Sequence, residues 1–198
     1  ATDPKKTLFE DFKSGLRYIS ATPELRWLAV LAVSVSAHGM TLPLIPRWTR
    51  DVLGAGPEGY GFILAAGGVG GLIGAIALIA APSYKQLAKG LVIIVAIYST
   101  AVVAFAFTNT LWTAAIAYAI VGGTIAWWAS TMRTLFQLAA RDEMRGRVMS
   151  LVGLISQTIA FGWLVGGALS ELVGPQSTFI IAGITVFAIY LFAYLRSP

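Results

Sequence analysis

The sequence has no cysteine and one histidine, and only 12% of its 198 residues are Asp, Glu, Lys or Arg. Soluble domains carry roughly 25% charged residues. Without cysteine there is no disulfide, thiolate metal site or cysteine nucleophile. One histidine cannot supply a His-Glu-x-x-His zinc site. No Gly-x-Ser turn occurs, which argues against an intramembrane serine protease, and no Walker motif occurs, so ATP coupling would need another chain. Nothing calls for a cofactor or a metal. What is abundant is apolar surface. Hydrophobic residues make up 57% of the chain, and mean hydropathy is +0.77. This composition excludes a cytosolic enzyme, a disordered chain and a disulfide scaffold.

A membrane-crossing helix needs ~20 mostly apolar residues. Six stretches qualify, at about 25–47, 59–81, 88–108, 111–135, 148–170 and 177–195. Asn109-Thr110 joins the third to the fourth, and Gly174-Pro175-Gln176 the fifth to the sixth; both are turn chemistry. The chain opens on Ala1, which reads as a processed chain or a piece of a longer one. Residues 1–23 form a separate segment. With acids at Asp3, Glu10 and Asp11 and no apolar central run, they are not a signal peptide. A capping box at Thr7 and Glu10, followed by Leu8, Phe9, Phe12, Leu16 and Ile19 on one face, predicts an amphipathic helix lying on the membrane surface. Thr22-Pro23-Glu24 restarts a helix that opens the membrane domain, 24–198.

Twelve of the fourteen basic residues fall on the side that holds the N-terminus, leaving only Arg47 and Arg50 opposite. Positive charge marks the cytoplasmic side. The expectation is a multi-pass protein of a bacterial inner membrane with both termini in the cytoplasm. The asymmetry accounts for the net charge of +5 without a nucleic-acid partner. Trp27, Trp48, Tyr60, Trp112 and Tyr194 lie near span ends, where aromatic belts form.

The spans differ in character. The first and fourth are polar. Ser34, His38 and Thr41 share a face of the first, ahead of Pro43 and Pro46, which should bend or end it. Thr124, Trp127 and Thr131 share a face of the fourth, with Trp128 beside it. The second and fifth are rich in small residues that allow close helix packing: Gly67, Gly70, Gly71 and Gly74, then Gly162, Gly166 and Gly167. The third and sixth are almost wholly apolar and read as lipid-facing.

Two readings stand beside each candidate group. The polar residues of spans one and four could line a substrate cavity, or bond their own helices and fill the core. His38 could take part in proton coupling, since no Asp or Glu lies inside a span, or could pack as a hydrogen-bonded core residue. Asp142, Glu143, Arg145 and Arg147 could form a cytoplasmic latch, or serve only as an orientation signal.

Three segments carry a family resemblance. They are Gly15-Leu16-Arg17-Tyr18-Ile19 with Pro23-Glu24-Leu25-Arg26, the run from Arg50 to Gly61, and Asp142-Glu143-Met144-Arg145-Gly146-Arg147-Val148-Met149-Ser150. With the polar–small–apolar order repeated twice, the chain resembles the C-terminal half of a major facilitator superfamily transporter, in the branch of enterobactin exporters and macrolide efflux proteins. It departs from that branch at Arg141, where proline is usual.

The resemblance implies an all-α membrane protein of six transmembrane helices. That is one half of a major facilitator fold, in two three-helix units, preceded by the amphipathic interfacial helix. It implies that the first and fourth helices line the cavity, the second and fifth meet a partner half, and the third and sixth face lipid. The function implied is secondary transport, as export of a small amphipathic or drug/siderophore-like molecule. The partners are the lipid bilayer and a second six-helix half: a missing N-terminal half, a split partner or a second copy of this chain. A structural or assembly subunit of a larger membrane complex, derived from a transporter half, is the alternative. A permease driven by a separate ATPase is a third reading.

Overall fold

A computed structural model describes residues 8–79 and 84–196, with side chains over 10–79, 90–193 and 195. The Thr7 cap, the Ala81–Ser83 connection and the Tyr194 ring lie outside the described residues. Among those described, every regular element is helical: α1 (Leu8–Ala21), α2 (Pro23–Ala32), α3 (Val35–Gly39), a 3-10 turn (Leu42–Leu44), α4 (Ile45–Asp51), α5 (Gly56–Ile79), α6 (Tyr84–Phe105), α7 (Leu111–Ala139), α8 (Asp142–Ser156) and α9 (Ile159–Arg196). By length and composition, four stretches can cross a membrane: Pro23–Asp51, Gly56–Ile79, Leu111–Ala139 and Asp142–Ala193. Gly90–Phe105 is a shorter apolar helix.

The turns follow the chemistry read from the sequence. Thr22 is extended and Pro23 opens α2, although the Thr22 hydroxyl makes no capping bond. Thr110 caps α7 by accepting from the Thr113 N–H at 3.3 Å. Within the Ile159–Arg196 stretch, Gly174 has φ 83° and ψ 159°, and Pro175 follows. Only glycine adopts that backbone at low cost, so the chain bends there and α9 is two helical arms.

Two glycine seams hold the bundle together. α5 is buried only along Gly59, Ile63, Gly67 and Gly70. A Cβ on Gly70 would lie 2.6 Å from the Ala119 carbonyl carbon, and one on Gly74 would lie 2.7 Å from that of Gly123. α5 and α7 therefore touch backbone to backbone. The second seam joins the first arm of α9 to the first span. A Cβ on Gly162 would meet Ser36 and Gly39 backbone, and one on Gly166 would lie 2.6 Å from the Met40 Cα. Glycine removes the side-chain layer that normally spaces helices, so dispersion contacts run along the whole seam.

The two seams differ in stiffness. α5 and α7 are continuous helices of 24 and 29 residues. Their counterparts are broken. At the end of α2 the hydrogen bonds tighten to three-residue spacing, with Ser34 N–H on Leu31 and Ser36 N–H on Val33 carbonyls. This break precedes Pro43 and Pro46, so proline is not its cause; the prolines open the 3-10 turn and α4 instead. A matching tightening occurs between α8 and α9, where Gln157 and Thr158 donate to Leu154 and Ile155. The breaks face each other, and the Ser36 hydroxyl donates to the Thr158 hydroxyl at 2.8 Å.

The third and sixth spans read as lipid-facing. Each buries one side, through Leu91, Val95, Tyr98, Val102 and Phe105 in α6 and Phe179, Ala182, Val186 and Tyr190 in α9. Their outer sides, such as Ile93 and Ile184, are exposed. Trp48, expected near a membrane interface, is buried in a ring cluster. Its ring lies 5.7 Å from Phe179 and 6.2 Å from Phe105, and its indole N–H donates to the Thr108 hydroxyl at 3.3 Å. Trp112 is exposed near its helix start, against Phe62.

Candidate functional site

The first span, α6, α7 and the second arm of α9 enclose a cleft. Ser34, Val35, His38, Ile94, Val95, Tyr98, Thr124, Ile125, Trp128 and Val186 line it. Ser34, in the turn before α3, and His38 on α3 point into it together because they are four residues apart, with the His38 N–H on the Ser34 carbonyl. The His38 Nδ1 and the Tyr98 hydroxyl are 2.9 Å apart, and their rings meet edge to face with centroids at 5.6 Å. The Trp128 indole N–H donates to the Tyr190 hydroxyl, and Ser34 lies within hydrogen-bonding reach of the same phenol. Thr124 lines the cleft, but its hydroxyl bonds the Ile120 and Val121 carbonyls of its own helix, both at 2.9 Å.

Of the seven residues expected to line a substrate cavity, four line this cleft together: Ser34, His38, Thr124 and Trp128. Three do not line it. The Thr41 hydroxyl donates to the His38 carbonyl at 2.8 Å. The Trp127 ring packs over the Cα of Gly90, where a Cβ would lie 2.9 Å from ring carbon Cζ2. Thr131 is fully buried and its hydroxyl has no partner among the described residues. Sequence reasoning missed Tyr98 and Tyr190, two of the three phenols in the apolar spans; a hydroxyl placed inside an apolar run was the available signal.

The cavity volume is about 40 Å³. One water claims ≈ 30 Å³ of the liquid, and drug-sized sites run to roughly 300–1,000 Å³. The cleft therefore admits water, not an amphipathic drug. Its lining is five aliphatic side chains with one imidazole, one phenol, two hydroxyls and an indole, and no Asp, Glu, Lys or Arg.

Gly67, Gly70, Gly74, Gly162 and Gly166 were expected to offer a surface to a partner half. They meet this chain's own α7 and first span. Close approach is what glycine supplies, and the chain uses it internally. Gly71 has only ordinary contacts, near Gly122 and Ala126, and Gly167 has none within 4 Å. The exposed surface of these helices is large and apolar, with Val69, Leu72, Ile73 and Ile76 on α5 and Phe161, Leu164 and Val165 on α9.

The charged cluster divides. Arg145 pairs with Asp142 at 2.6 Å on the surface of α8, and its Nε donates to the Gln137 carbonyl at 3.2 Å. Arg147 turns away from both acids and meets Asp11 of α1 at 2.9 Å. α1 is thereby fastened to α8. A Cβ on Gly15 would lie 2.9 Å from Leu151, and the Tyr18 hydroxyl accepts the Arg141 backbone N–H at 3.3 Å. At the opposite end of the bundle Arg47 pairs with Glu171 at 2.8 Å, tying α4 to α9.

A family model described as transmembrane secretion effector, of the major facilitator superfamily, matches residues 1–197. The chain belongs to that family. Its similar proteins are transporters, not enzymes, and the chain is a multi-pass membrane protein. It is 29% identical over 171 residues to the multidrug efflux pump Tap of Mycolicibacterium fortuitum, covering 84% of this chain and 41% of the relative. It is 23% identical over 192 residues to the staphyloferrin A transporter of Staphylococcus aureus, covering 96% and 46%. An uncharacterized major facilitator-type transporter of Bacillus subtilis, YfmI, is 26% identical over 190 residues, covering 92% and 47%. The chain spans less than half the length of the curated relatives it matches.

Proposed function

We infer that this member of the family acts as one half of an alternating-access exporter in a bacterial inner membrane, moving a small amphipathic or drug/siderophore-like molecule. One observation carries the reading. The family match runs through residues 1–197, while the aligned part of each relative is only 41%, 46% or 47% of that protein. In this reading the helices make six spans in two three-helix units, with α2, α3 and α4 as the first and the two arms of α9 belonging to the fifth and sixth. The reciprocal seams support it: span two rests on span four, and span five on span one. Both termini then lie in the cytoplasm, on the basic side.

The substrate site forms between this half and its mate, because the interior cleft has room only for water-sized occupants. The exposed apolar faces of α5 and the first arm of α9 are the surfaces offered to the mate. Rocking of the halves about that shared cavity is the transport step. The test is native mass spectrometry of the chain in lipid nanodiscs, followed by dye-efflux measurements in cells. A two-bundle assembly that lowers cell-associated dye is expected. A lone stable chain with no efflux refutes the reading.

The absence of any charged side chain from the cleft lining favours a second reading, that of a non-transporting subunit of a larger membrane complex. In that case the chain co-purifies with unrelated membrane proteins and efflux is unchanged by its deletion.

A further inference from the structure

We propose that the outer side of α1 is a binding site for anionic phospholipid, with Lys13 and Arg17 taking the headgroups and Phe12 and Leu16 entering the edge of the acyl layer. The proposal stands apart from the transport reading. It needs only that the chain lies in a membrane.

The bundle occupies one side of α1. Gly15 and Ile19 are buried there, and a Cβ on Gly15 would lie 2.9 Å from the Leu151 side chain of α8. Asp11 is held by Arg147 at 2.9 Å, and the Tyr18 hydroxyl accepts the Arg141 backbone N–H at 3.3 Å. These contacts fix the roll of the helix about its own axis, and with it what the helix turns away from the bundle. They also fix its depth. α8 heads the membrane-crossing stretch Asp142–Ala193, so α1 is clamped where that stretch leaves the bilayer.

The free side carries two strips. Phe12 is 42% exposed and Leu16 52%; they are four residues apart and share a face. Lys13 and Arg17, also four apart, are exposed. Each follows a member of the apolar pair and lies about 100° further round the helix. The order around α1 is therefore bundle, apolar strip, cationic strip. A helix at the rim of a bilayer needs this order: the apolar strip dips toward the acyl chains, and the cations reach the headgroups from its flank.

Charge selects the lipid. Neither Lys13 nor Arg17 forms an ion pair among the described residues. Of the described acids on α1, Asp11 is committed to Arg147, and the exposed Glu10 pairs with neither cation. Two free cations face one free carboxylate. A phosphatidylglycerol headgroup brings the net negative charge that they lack. A phosphatidylcholine headgroup carries its own ammonium and brings none. A protein partner would have to offer an acidic rim around an apolar floor, which an anionic leaflet offers everywhere.

The sequence has no cysteine, so Ser20→Cys gives a single site for a bimane label. Ser20 is exposed and falls between the two strips by helical spacing. The labelled full chain is placed in phosphatidylcholine nanodiscs that contain a small fraction of either brominated phosphatidylglycerol or brominated phosphatidylcholine. Phosphatidylglycerol should quench at a mole fraction lower by about fivefold or more, the gain expected from even one basic side chain at the surface. Rising salt should shrink that preference. Lys13→Gln with Arg17→Gln should abolish it while both lipids still quench. Arg133→Gln, which removes an exposed cation of α7, should leave it intact. Equal quenching by the two lipids before any substitution overturns the proposal. So does a preference that survives the double substitution or high salt, or one that falls as far with Arg133→Gln. A label that neither lipid reaches also overturns it, since cytosol or a second protein bundle then covers this side of α1. No efflux is read here, so the lipid site and the transport reading stand or fall separately.

Discussion

The α5–α7 seam makes a prediction whose sign changes between neighbouring glycines. Gly70→Ala places a methyl group 2.6 Å from the Ala119 carbonyl carbon and 2.9 Å from its Cα. These are backbone atoms, so no side chain can swing aside. Carbon atoms pack at about 3.5–4.0 Å, so α7 must retreat by roughly 1 Å. The retreat opens the neighbouring contacts of Gly67 and Gly74 as well. Overpacking of this kind costs about 1–3 kcal/mol, and the shared seam puts Gly70→Ala at the upper end. Gly68, two positions earlier on the same helix, has nothing within 4 Å of its Cβ position. There alanine replaces a poor helix former at no steric cost, and a gain of about 0.5–1 kcal/mol follows. Equilibrium unfolding in mixed micelles, read by circular dichroism, gives both numbers. If Gly70→Ala is as stable as Gly68→Ala, the seam is not a close backbone contact and the packing argument fails.

Three further outcomes follow from other contacts. Arg147→Ala should raise deuterium exchange of α1 amides, at a stability cost below about 1 kcal/mol because the pair with Asp11 is partly exposed; Asp142→Asn, which touches only the surface pair with Arg145, should leave α1 protected. Thr131→Val should be neutral or stabilising by up to about 1 kcal/mol in the same unfolding assay, since the buried hydroxyl has no partner to lose. Gly174→Ala should cost about 1–3 kcal/mol, because φ 83° with ψ 159° is open to glycine alone, and a protease cutting at the turn would report the loosened arms.

Much of the architecture was legible because turn residues and small-residue spacing act locally. The Asn109-Thr110 and Gly174-Pro175 turns lie where they were read. So does the restart at Pro23. Ser34, His38, Thr124 and Trp128 came together because helical spacing fixes a common face, and two such faces meet. What was not legible depends on partners distant in sequence. Asp11 and Arg147 are adjacent only after α1 folds onto α8. The glycines were visible, but not what they meet; Gly122-Gly123 in α7 was the signal that an internal partner existed. Tyr98 and Tyr190 were hidden because hydropathy averages a phenol into its apolar neighbours. The break at Ser34 carries no proline or glycine, so it arises from packing against the equally interrupted α8–α9 junction rather than from local propensity.

The crossing pattern of the seams bears on how this bundle can be divided. α5 leans on a helix that follows the Asn109-Thr110 turn, and the first arm of α9 leans on one that precedes it. Neither part of the chain keeps its glycine grooves filled if it is severed at that turn. Yet both fragments would carry mutually complementary ridges and should find one another in a bilayer, much as interlaced fingers part and rejoin only as whole hands.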